Sequence, residues 1–234
     1  MDGWREIGKH SFTPLSLEET LLGGQSFVWT KKGSHQWRGV IGRSIVDLSL
    51  RNGRLSWRAS LLHPFSEGEL TKYLWIDGSY DAAIEEMPWR SDPVLRESLR
   101  AFSGLRILGQ PFDETLFYFL LSSAKSISQI KSCGEAVALR YGEKLGFGIG
   151  SFPGWNRLCE VPEEELRKLK LGYRAKYVAG VADFLASRSG WLEETASLPY
   201  EKAKARLMEM PGVGQKIADC ALLFGAGKLE AFPI

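Results

Sequence analysis

The chain has 234 residues, 44% of them hydrophobic, so it can bury one large core or two small ones. Its formal net charge is only +2, so any binding to a polyanion has to come from a local basic patch. Three cysteines without C-x-x-C spacing and three scattered histidines disfavour a disulfide framework and a metal site. Nothing in the sequence supports a redox cofactor. We see no secretory leader or membrane-length apolar run, and we expect a protein that is neither secreted nor bound to a membrane.

The first 60 residues carry β-branched and aromatic residues between turn signals, which is typical of strands. Asn52-Gly53 between two alternating runs is a strong signal for a β-hairpin. Gly23-Gly24, before the first run, predicts a turn or, alternatively, a backbone carbonyl left bare for a ligand. The predicted strands are Ser26 to Thr30, Gln36 to Gly42, Ser44 to Leu50 and Arg54 to Ser60.

From about residue 66 onward the pattern becomes helical. The segment from Asp113 to Ala124 is apolar nearly all round, which predicts a central buried helix. A Gly/Pro-rich stretch from Gly142 to Gly154 predicts a loop. The other predicted helices lie near 66–76, 80–88 and 92–103, over Ile127 to Tyr141 and Pro162 to Lys170, and from Tyr173 onward.

Residues 207–220 read as a helix, a tight glycine turn and a second helix. A helix from Tyr200 to Met210 is stopped by Pro211, and Gly212-Val213-Gly214 permits a sharp turn. The free N–H groups at the start of the next helix suit a bound phosphate of DNA. An ordinary helical hairpin is the alternative, and the spacing alone favours it.

Lys216 lies in the first turn of that second helix, where the helix dipole disfavours a cation. A disfavoured ammonium form is what an amine nucleophile needs, because only the neutral amine attacks carbon. The alternative is a solvated surface lysine. Asp219, in the same helix, is interpreted as a charge near the helix start.

Five cations and Tyr173 lie between Arg167 and Lys176. Such a run is usually a solvated helix end. Basic residues beside an exposed aromatic ring can instead bind phosphates and enter a base stack.

Three motifs taken together resemble the 8-oxoguanine DNA glycosylase/AP lyase family of the helix-hairpin-helix superfamily. They are Leu-Leu-Gly-Gly-Gln-Ser-Phe-x-Trp at 21–29, Leu-Gly-Tyr-Arg-Ala-Lys-Tyr at 171–177 and Leu-x-x-x-Pro-Gly-Val-Gly-x-Lys-x-Ala-Asp-Cys at 207–220. The resemblance implies an α+β fold, with an N-terminal antiparallel β-sheet domain over 1–100 packed on an all-α helix-hairpin-helix glycosylase domain over 101–234. It also implies a monomer that acts on double-stranded DNA containing an oxidised purine, in the cytoplasm of a prokaryote or the nucleus of a eukaryote.

The resemblance assigns roles by position. Lys216 matches the catalytic lysine, which attacks the sugar, expels the base and forms a Schiff base. Gly24 matches the glycine whose carbonyl accepts the imidazole hydrogen that 8-oxoguanine has and guanine lacks. Cys220 matches a residue of the base pocket, although a small core residue is an equally good interpretation. The matching DNA contacts are Gly212, Val213, Gly214 and Gln215 in the hairpin and Tyr173 and Arg174 beside the estranged cytosine.

The sequence departs from the family after Ser122-Ser123, where relatives have asparagines and then an arginine that reads the orphaned cytosine. The segment from Ala124 to Gln129 has Lys125 and Gln129 as its candidate DNA contacts. Because Gln129 lacks the charged fork of arginine, we predict a weaker preference for cytosine opposite the lesion than is typical of the family. Excision rates opposite each of the four bases test this, and a strong cytosine preference would refute it.

In the family, the segment matching Ala231 to Ile234 is followed at once by a catalytic aspartate. We therefore expect the printed chain to be a fragment that is inactive or severely impaired as a glycosylase, with an active longer parent. Single-turnover excision at a normal rate would contradict this. Two other functions stay open: a non-catalytic helix-hairpin-helix DNA-binding module and a monofunctional glycosylase for alkylated bases.

Overall fold

The structure is a computed structural model that describes residues 1–8, 10–76 and 79–234. It contains two compact units, Met1–Gly109 and Gln110–Ile234. The first is built on an antiparallel sheet and the second on helices, which confirms the predicted α+β class. Within the described residues, every helix is too short or too polar to traverse a lipid bilayer.

The unit boundary lies at Gly109, whereas the sequence suggested residue 100. Two hydrogen bonds hold the intervening segment in the first unit. The amide of Gly109 donates to the carbonyl of Tyr73 at 2.9 Å, and the amide of Leu108 donates to Gln25 Oε1, also at 2.9 Å.

The first unit contains a five-stranded antiparallel sheet in the order β1-β5-β4-β3-β2. Its strands are β1 (Arg5–Glu6), β2 (Thr30–Gly33), β3 (Gln36–Ile41), β4 (Ser44–Arg51) and β5 (Arg54–Ala59). Its helices are α1 (Pro14–Leu22), α2 (Glu67–Tyr73), α3 (Ser79–Glu86) and α4 (Pro93–Ala101).

The predicted β-hairpin is confirmed. Asn52 and Gly53 both have positive φ, at 51° and 72°, and join β4 to β5 with Arg51 opposite Arg54. The predicted strand from Ser26 to Thr30 is wrong, because only Thr30 belongs to a strand. The polar groups of that segment turn toward Tyr73 instead, whose hydroxyl accepts a 2.9 Å hydrogen bond from the indole of Trp29.

The second unit is helical. Its helices are α5 (Phe112–Leu121), α6 (Ile127–Tyr141), α7 (Trp155–Cys159), α8 (Glu163–Leu166), α9 (Arg174–Ala186), α10 (Trp191–Ser197), α11 (Tyr200–Leu207) and α12 (Gln215–Ala226). A small hairpin, β6 (Lys144–Gly146) and β7 (Ile149–Gly150), lies inside the predicted loop after α6.

The bounds predicted for α6 are confirmed, but the predicted helix from Pro162 to Lys170 is wrong at its C-terminal half. α8 ends at Leu166, and the chain then makes a wider turn over Arg167–Leu171. Lys170 leaves helical geometry there with φ +64°, and Gly172 follows with φ +63°. The basic segment is therefore a bent loop rather than a regular helix end.

Helix α5 is the buried centre of the second unit, as predicted, with every residue from Glu114 to Leu121 buried. It packs on α12 with almost no space between the backbones. A Cβ on Gly225 would lie 2.9 Å from the Cα of Phe112. The start of α5 therefore lies against the C-terminal end of α12, away from Lys216.

The buried carboxyl of Glu114 should make the free energy of unfolding depend on pH. Burial, with a smaller contribution from Asp113, raises the pKa of its carboxyl from 4.5 to about 8. A raised carboxyl pKa gives stability that is complete below pH 4.5 and is lost as the pH rises through 8. We expect Glu114→Gln to match the parent at pH 4.5 and to exceed its free energy of unfolding by about 2–5 kcal/mol at pH 9. Denaturant unfolding at both pH values checks this. The exposed Glu97→Gln is the matched control, and equal stability of Glu114→Gln and parent at pH 9 would contradict it.

Candidate active site and DNA-binding surface

The glycine turn between α11 and α12 has the predicted form. α11 ends at Leu207, three residues before the predicted Met210, and Gly212 adopts φ +79°. The amide of Val213 donates to the carbonyl of Met210 at 3.2 Å, and the Val213 side chain is buried beneath the turn. Gly212 and Gly214 stay exposed on its outer surface.

Helix α12 begins without a side-chain cap. Its N-cap residue is Gly214, which has no side chain that could accept from the first backbone amides. Gln215 and Lys216 in that first turn are exposed. Uncapped amides at an exposed helix start form a ready-made anion site, which is the geometry required for binding a DNA phosphate.

The turn rests directly on α9. A Cβ on Gly212 would lie 2.4 Å from Cγ of Tyr177, and one on Gly180 would lie 3.2 Å from Cβ of Pro211. Only glycine at 212 permits this approach, in space as well as in φ. No sequence pattern indicates this packing of Tyr177 against the turn.

Lys216 and Cys220 are one helical turn apart, but they differ in exposure. Lys216 is exposed, whereas Cys220 is buried. Burial raises the pKa of the Cys220 thiol to about 11, an effect that the nearby charge of Lys216 opposes and that of Asp219 reinforces. The thiol is therefore neutral near pH 7 and does not act as a nucleophile there. Lys216 is the reactive candidate of the pair.

Asp219 does not lie at the helix start, so our interpretation of it as an N-terminal helix charge is wrong. It is 4% exposed and faces α11. Its Oδ1 accepts from the Tyr200 hydroxyl at 2.7 Å, and its Oδ2 accepts from Lys204 Nζ at 3.0 Å. Lys204 Nζ also donates to the Tyr200 hydroxyl at 3.1 Å. We call Tyr200, Lys204 and Asp219 the α11–α12 cluster.

Tyr173 is an exposed aromatic residue at the start of α9. Its side chain is 48% exposed at the start of α9, and its hydroxyl lies 3.1 Å from Ser123 Oγ. Its ring stands edge-on to that of Tyr177 at 6.1 Å between centroids. Tyr177 therefore contacts both the exposed ring and the glycine turn.

Arg174, expected beside the estranged cytosine, is buried in this structure, at 5% exposure. Its guanidinium lies 4.3 Å from the centroid of the Tyr173 ring, and Nη1 makes a long 3.5 Å contact with the carbonyl of Leu171. In this arrangement Arg174 supports Tyr173 from behind, and it does not extend toward solvent.

Lys125 and Gln129 both make contacts within the second unit. Lys125 Nζ donates to the carbonyl of Lys170 at 3.1 Å, which ties the turn after α5 to the basic loop. Gln129 Oε1 accepts from the amide of Ser126 at 3.0 Å in the capping box of α6. The spacing Ser126-x-x-Gln129 is a signature of that box, and it is readable in the sequence.

The cations of the basic segment fall into two groups. Arg167 pairs with Glu163 and Lys168 pairs with Glu165, so these two cations form ordinary ion pairs at the solvated surface. Lys170 and Lys176 are exposed and have no acidic partner among the described residues. These two cations remain available to a phosphate backbone.

Gly24, in the first unit, lies in the bend after α1 with φ +102°. The next residue fixes this bend, because Gln25 Nε2 donates to the carbonyl of Arg106 at 2.8 Å while Gln25 Oε1 accepts from Leu108. Ser26 after it is fully buried. The bend is therefore fixed by hydrogen bonds between Gln25 and the backbone of Arg106 and Leu108. The sequence did not indicate this role for Gln25.

Comparison with known proteins agrees with this arrangement. Residues 9–116 match the sequence profile of the 8-oxoguanine DNA glycosylase, N-terminal domain. The chain is 34% identical over 239 residues to the N-glycosylase/DNA lyase OGG1 of Arabidopsis thaliana and 28% identical over 243 residues to the N-glycosylase/DNA lyase of Saccharomyces cerevisiae. These alignments cover 97% and 90% of this chain, and the chain spans 65% and 63% of the two relatives.

Solved structures extend the likeness to the whole fold. The 8-oxoguanine glycosylase/lyase of Clostridium acetobutylicum, solved with dsDNA containing cytosine opposite 8-oxoG, superimposes with a TM-score of 0.85 at 26% identity, covering 100% of this chain and 82% of that one. The 3-methyladenine DNA-glycosylase of Archaeoglobus fulgidus shares the fold, with a TM-score of 0.74 at 19% identity over 99% of this chain and 82% of that one. The N-terminal profile, the alignments over most of this chain and the superposition therefore agree that the chain is similar to 8-oxoguanine DNA glycosylases in both sequence and fold.

Proposed function

We propose that this protein is a bifunctional DNA glycosylase/AP lyase of base-excision repair that removes 8-oxoguanine from duplex DNA through a Schiff base on Lys216. One observation carries the proposal. An exposed lysine stands in the first turn of α12, directly after a glycine turn whose following amides are uncapped. A phosphate bound at that helix start brings the sugar–phosphate backbone within reach of the amine.

The chemistry proceeds in two stages. The neutral Lys216 amine attacks C1′ of the damaged nucleotide, the bond from C1′ to the base breaks, and the electron pair leaves with the base. The C1′–O4′ bond then breaks as the nitrogen forms a Schiff base with C1′, and the two protons of the amine pass through solvent to the departed base and to O4′. Loss of a C2′ proton eliminates the 3′ phosphate and nicks the strand, and hydrolysis returns the free lysine.

Contacts in the second unit support the DNA-binding part of the proposal. Gly212, Val213, Gly214 and Gln215 present backbone to one phosphate, and the exposed Lys170 and Lys176 add charge without dependence on sequence. The exposed Tyr173 ring, held by Ser123, fills the space that an extruded base leaves in the duplex. Lys125, Arg174 and Gln129 complete this surface by supporting the basic loop, the wedge and the start of α6.

Selection of the lesion is assigned to Gly24 and Cys220. A carbonyl accepts a hydrogen bond from the protonated imidazole nitrogen of 8-oxoguanine, whereas guanine presents a lone pair at the same place. The fixed bend at Gly24 supplies such a carbonyl at low conformational cost. The neutral Cys220 thiol gives the base a small, polarisable contact. We further propose a monomer that works wherever the cell keeps its DNA, in the prokaryotic cytoplasm or the eukaryotic nucleus.

The lyase stage is tested on a duplex with one abasic site, because that step needs only the amine and the sugar aldehyde. We expect a nick on the 3′ side that leaves an unsaturated aldehyde, resolved on a sequencing gel. Duplex binding without a nick would favour a non-catalytic helix-hairpin-helix module. Release of an alkylated base without a nick would favour a monofunctional glycosylase.

Lesion selection is measured separately as the affinity of the chain for otherwise identical duplexes that carry 8-oxoguanine or guanine opposite cytosine. One hydrogen bond of this kind is worth roughly 1–3 kcal/mol, so the duplex with 8-oxoguanine should bind about tenfold more tightly or better. Equal affinities for the two duplexes would exclude the assigned role of Gly24.

A further inference from the structure

The α11–α12 cluster contains a buried carboxylate, that of Asp219, close to Lys216 in the sequence of α12. Hydrogen bonds from the other two members of the cluster already satisfy this carboxylate. Asp219 follows Lys216 by three residues in α12, and residues at that spacing are neighbours on a helix. The charges of both residues act on the same thiol, that of Cys220. Two lysines, Lys216 and Lys204, thus lie around a single buried acid.

The contacts show which lysine holds that acid. Lys204 Nζ lies 2.9 Å from one carboxylate oxygen of Asp219 and 3.0 Å from the other, and the Tyr200 hydroxyl donates to the same group at 2.7 Å. Lys204 itself is fixed by its 3.1 Å bond to Tyr200, one turn earlier in α11. The carboxylate is therefore paired with two side chains of α11.

Other charged groups are placed elsewhere. On α5, which packs on α12, the acids are Asp113 and Glu114, and they lie at the helix start that meets the far end of α12 at Gly225. The titratable side chain that α9 brings against the turn is Tyr177, a neutral group. The acids Glu201 in α11 and Glu209 before the glycine turn are exposed. Asp219 is the acidic residue of α12 itself, three positions after Lys216.

We propose that Lys204, with Tyr200, is a positioning residue that holds the Asp219 carboxylate away from Lys216 and so leaves the amine free to act as a nucleophile. The inference rests on the proposed function, since it concerns the reactivity of the same lysine. A buried carboxylate without a cationic partner is strongly disfavoured. If Lys204 is removed, Asp219 therefore attracts the neighbouring cation of α12, Lys216. An acid paired with Lys216 favours the ammonium form, which cannot attack carbon.

The test is the pH dependence of nicking at an abasic site by the 234-residue chain. In Lys204→Met we expect the rising limb of the pH–rate profile to move upward by about one pH unit, with a rate at pH 7 about tenfold lower and convergence on the parent at high pH. Lys204→Arg keeps the cation and should keep the parent profile. The double variant Lys204→Met/Asp219→Asn removes the acid as well and should restore the parent profile.

A merely structural role gives a different result, in which the rate falls at every pH and the double variant is worse than the single one. That result, or an unshifted profile in a folded Lys204→Met, would overturn the inference. If Lys204→Met does not fold, Asp219→Asn alone tests the inference. This variant should leave the pH–rate profile in place or move it to lower pH. A shift of the profile to higher pH would contradict the inference. A parent chain that nicks at no pH would instead refute the proposed function.

Discussion

Replacement of Lys216 with glutamine is expected to lower the rate of nicking at an abasic site by about 10³-fold or more, because in the proposed mechanism it removes the nitrogen that forms the covalent intermediate. The side chain is exposed, so the free energy of unfolding should change by no more than about 0.5 kcal/mol. Affinity for the duplex should fall only slightly, since the glycine turn and its amides are unchanged. The measurement is single-turnover nicking on a gel beside thermal unfolding of the same samples.

The matched control is Lys202→Gln. Lys202 is an exposed lysine in α11, and its substitution makes the same change of charge and size. It should nick at the parent rate within about twofold, as expected for a surface substitution away from the site. Equal losses in the two variants would show that Lys216 contributes general positive charge rather than a nucleophile.

Gly212→Ala is expected to have the second large effect, on the stability of the turn. The alanine would have to keep φ +79° and would place its Cβ 2.4 Å from Cγ of Tyr177. Left-handed geometry costs an alanine about 1 kcal/mol and a core clash of this kind about 1–3 kcal/mol, so we expect a loss of about 2–4 kcal/mol in the free energy of unfolding. Displacement of the amides at the start of α12 should also weaken binding to a lesion duplex by about tenfold or more.

The turn contains its own control. Gly214 has φ −94° and open space around its Cβ position, so Gly214→Ala should change the free energy of unfolding by about 0.5 kcal/mol or less. Adding Tyr177→Ala to Gly212→Ala should relieve the clash but not the φ penalty, which double-mutant analysis of denaturant unfolding resolves. Equal stabilities of the 212 and 214 variants would contradict the close seating of the turn on α9.

Local chemistry made much of this structure predictable. The Asn52-Gly53 hairpin follows from the need for positive φ at both positions, and the bounds of α6 follow from a serine cap and a glycine stop. The glycine turn before Lys216 follows in the same way from Pro211 and Gly212. In each case the residue type dictates backbone angles without reference to distant parts of the chain.

Contacts between distant residues explain the rest. Nothing near Asp219 in the sequence shows that Lys204 and Tyr200 hold it, because that pairing depends on how α11 folds back on α12. The burial of Arg174 depends likewise on the bent loop at Lys170, which replaces a helix that the local pattern favours. Similarly, Ser26 and Trp29 make hydrogen bonds with the distant Tyr73, and their segment does not form the strand that its local pattern predicts.

Reduction with sodium borohydride during incubation with an abasic duplex fixes any Schiff base as a stable covalent adduct, and so identifies the nucleophile. We predict one cross-linked species whose peptide map places the DNA on Lys216, and none with Lys216→Gln. Adducts spread over several lysines, or an adduct of undiminished yield in Lys216→Gln, would contradict this prediction.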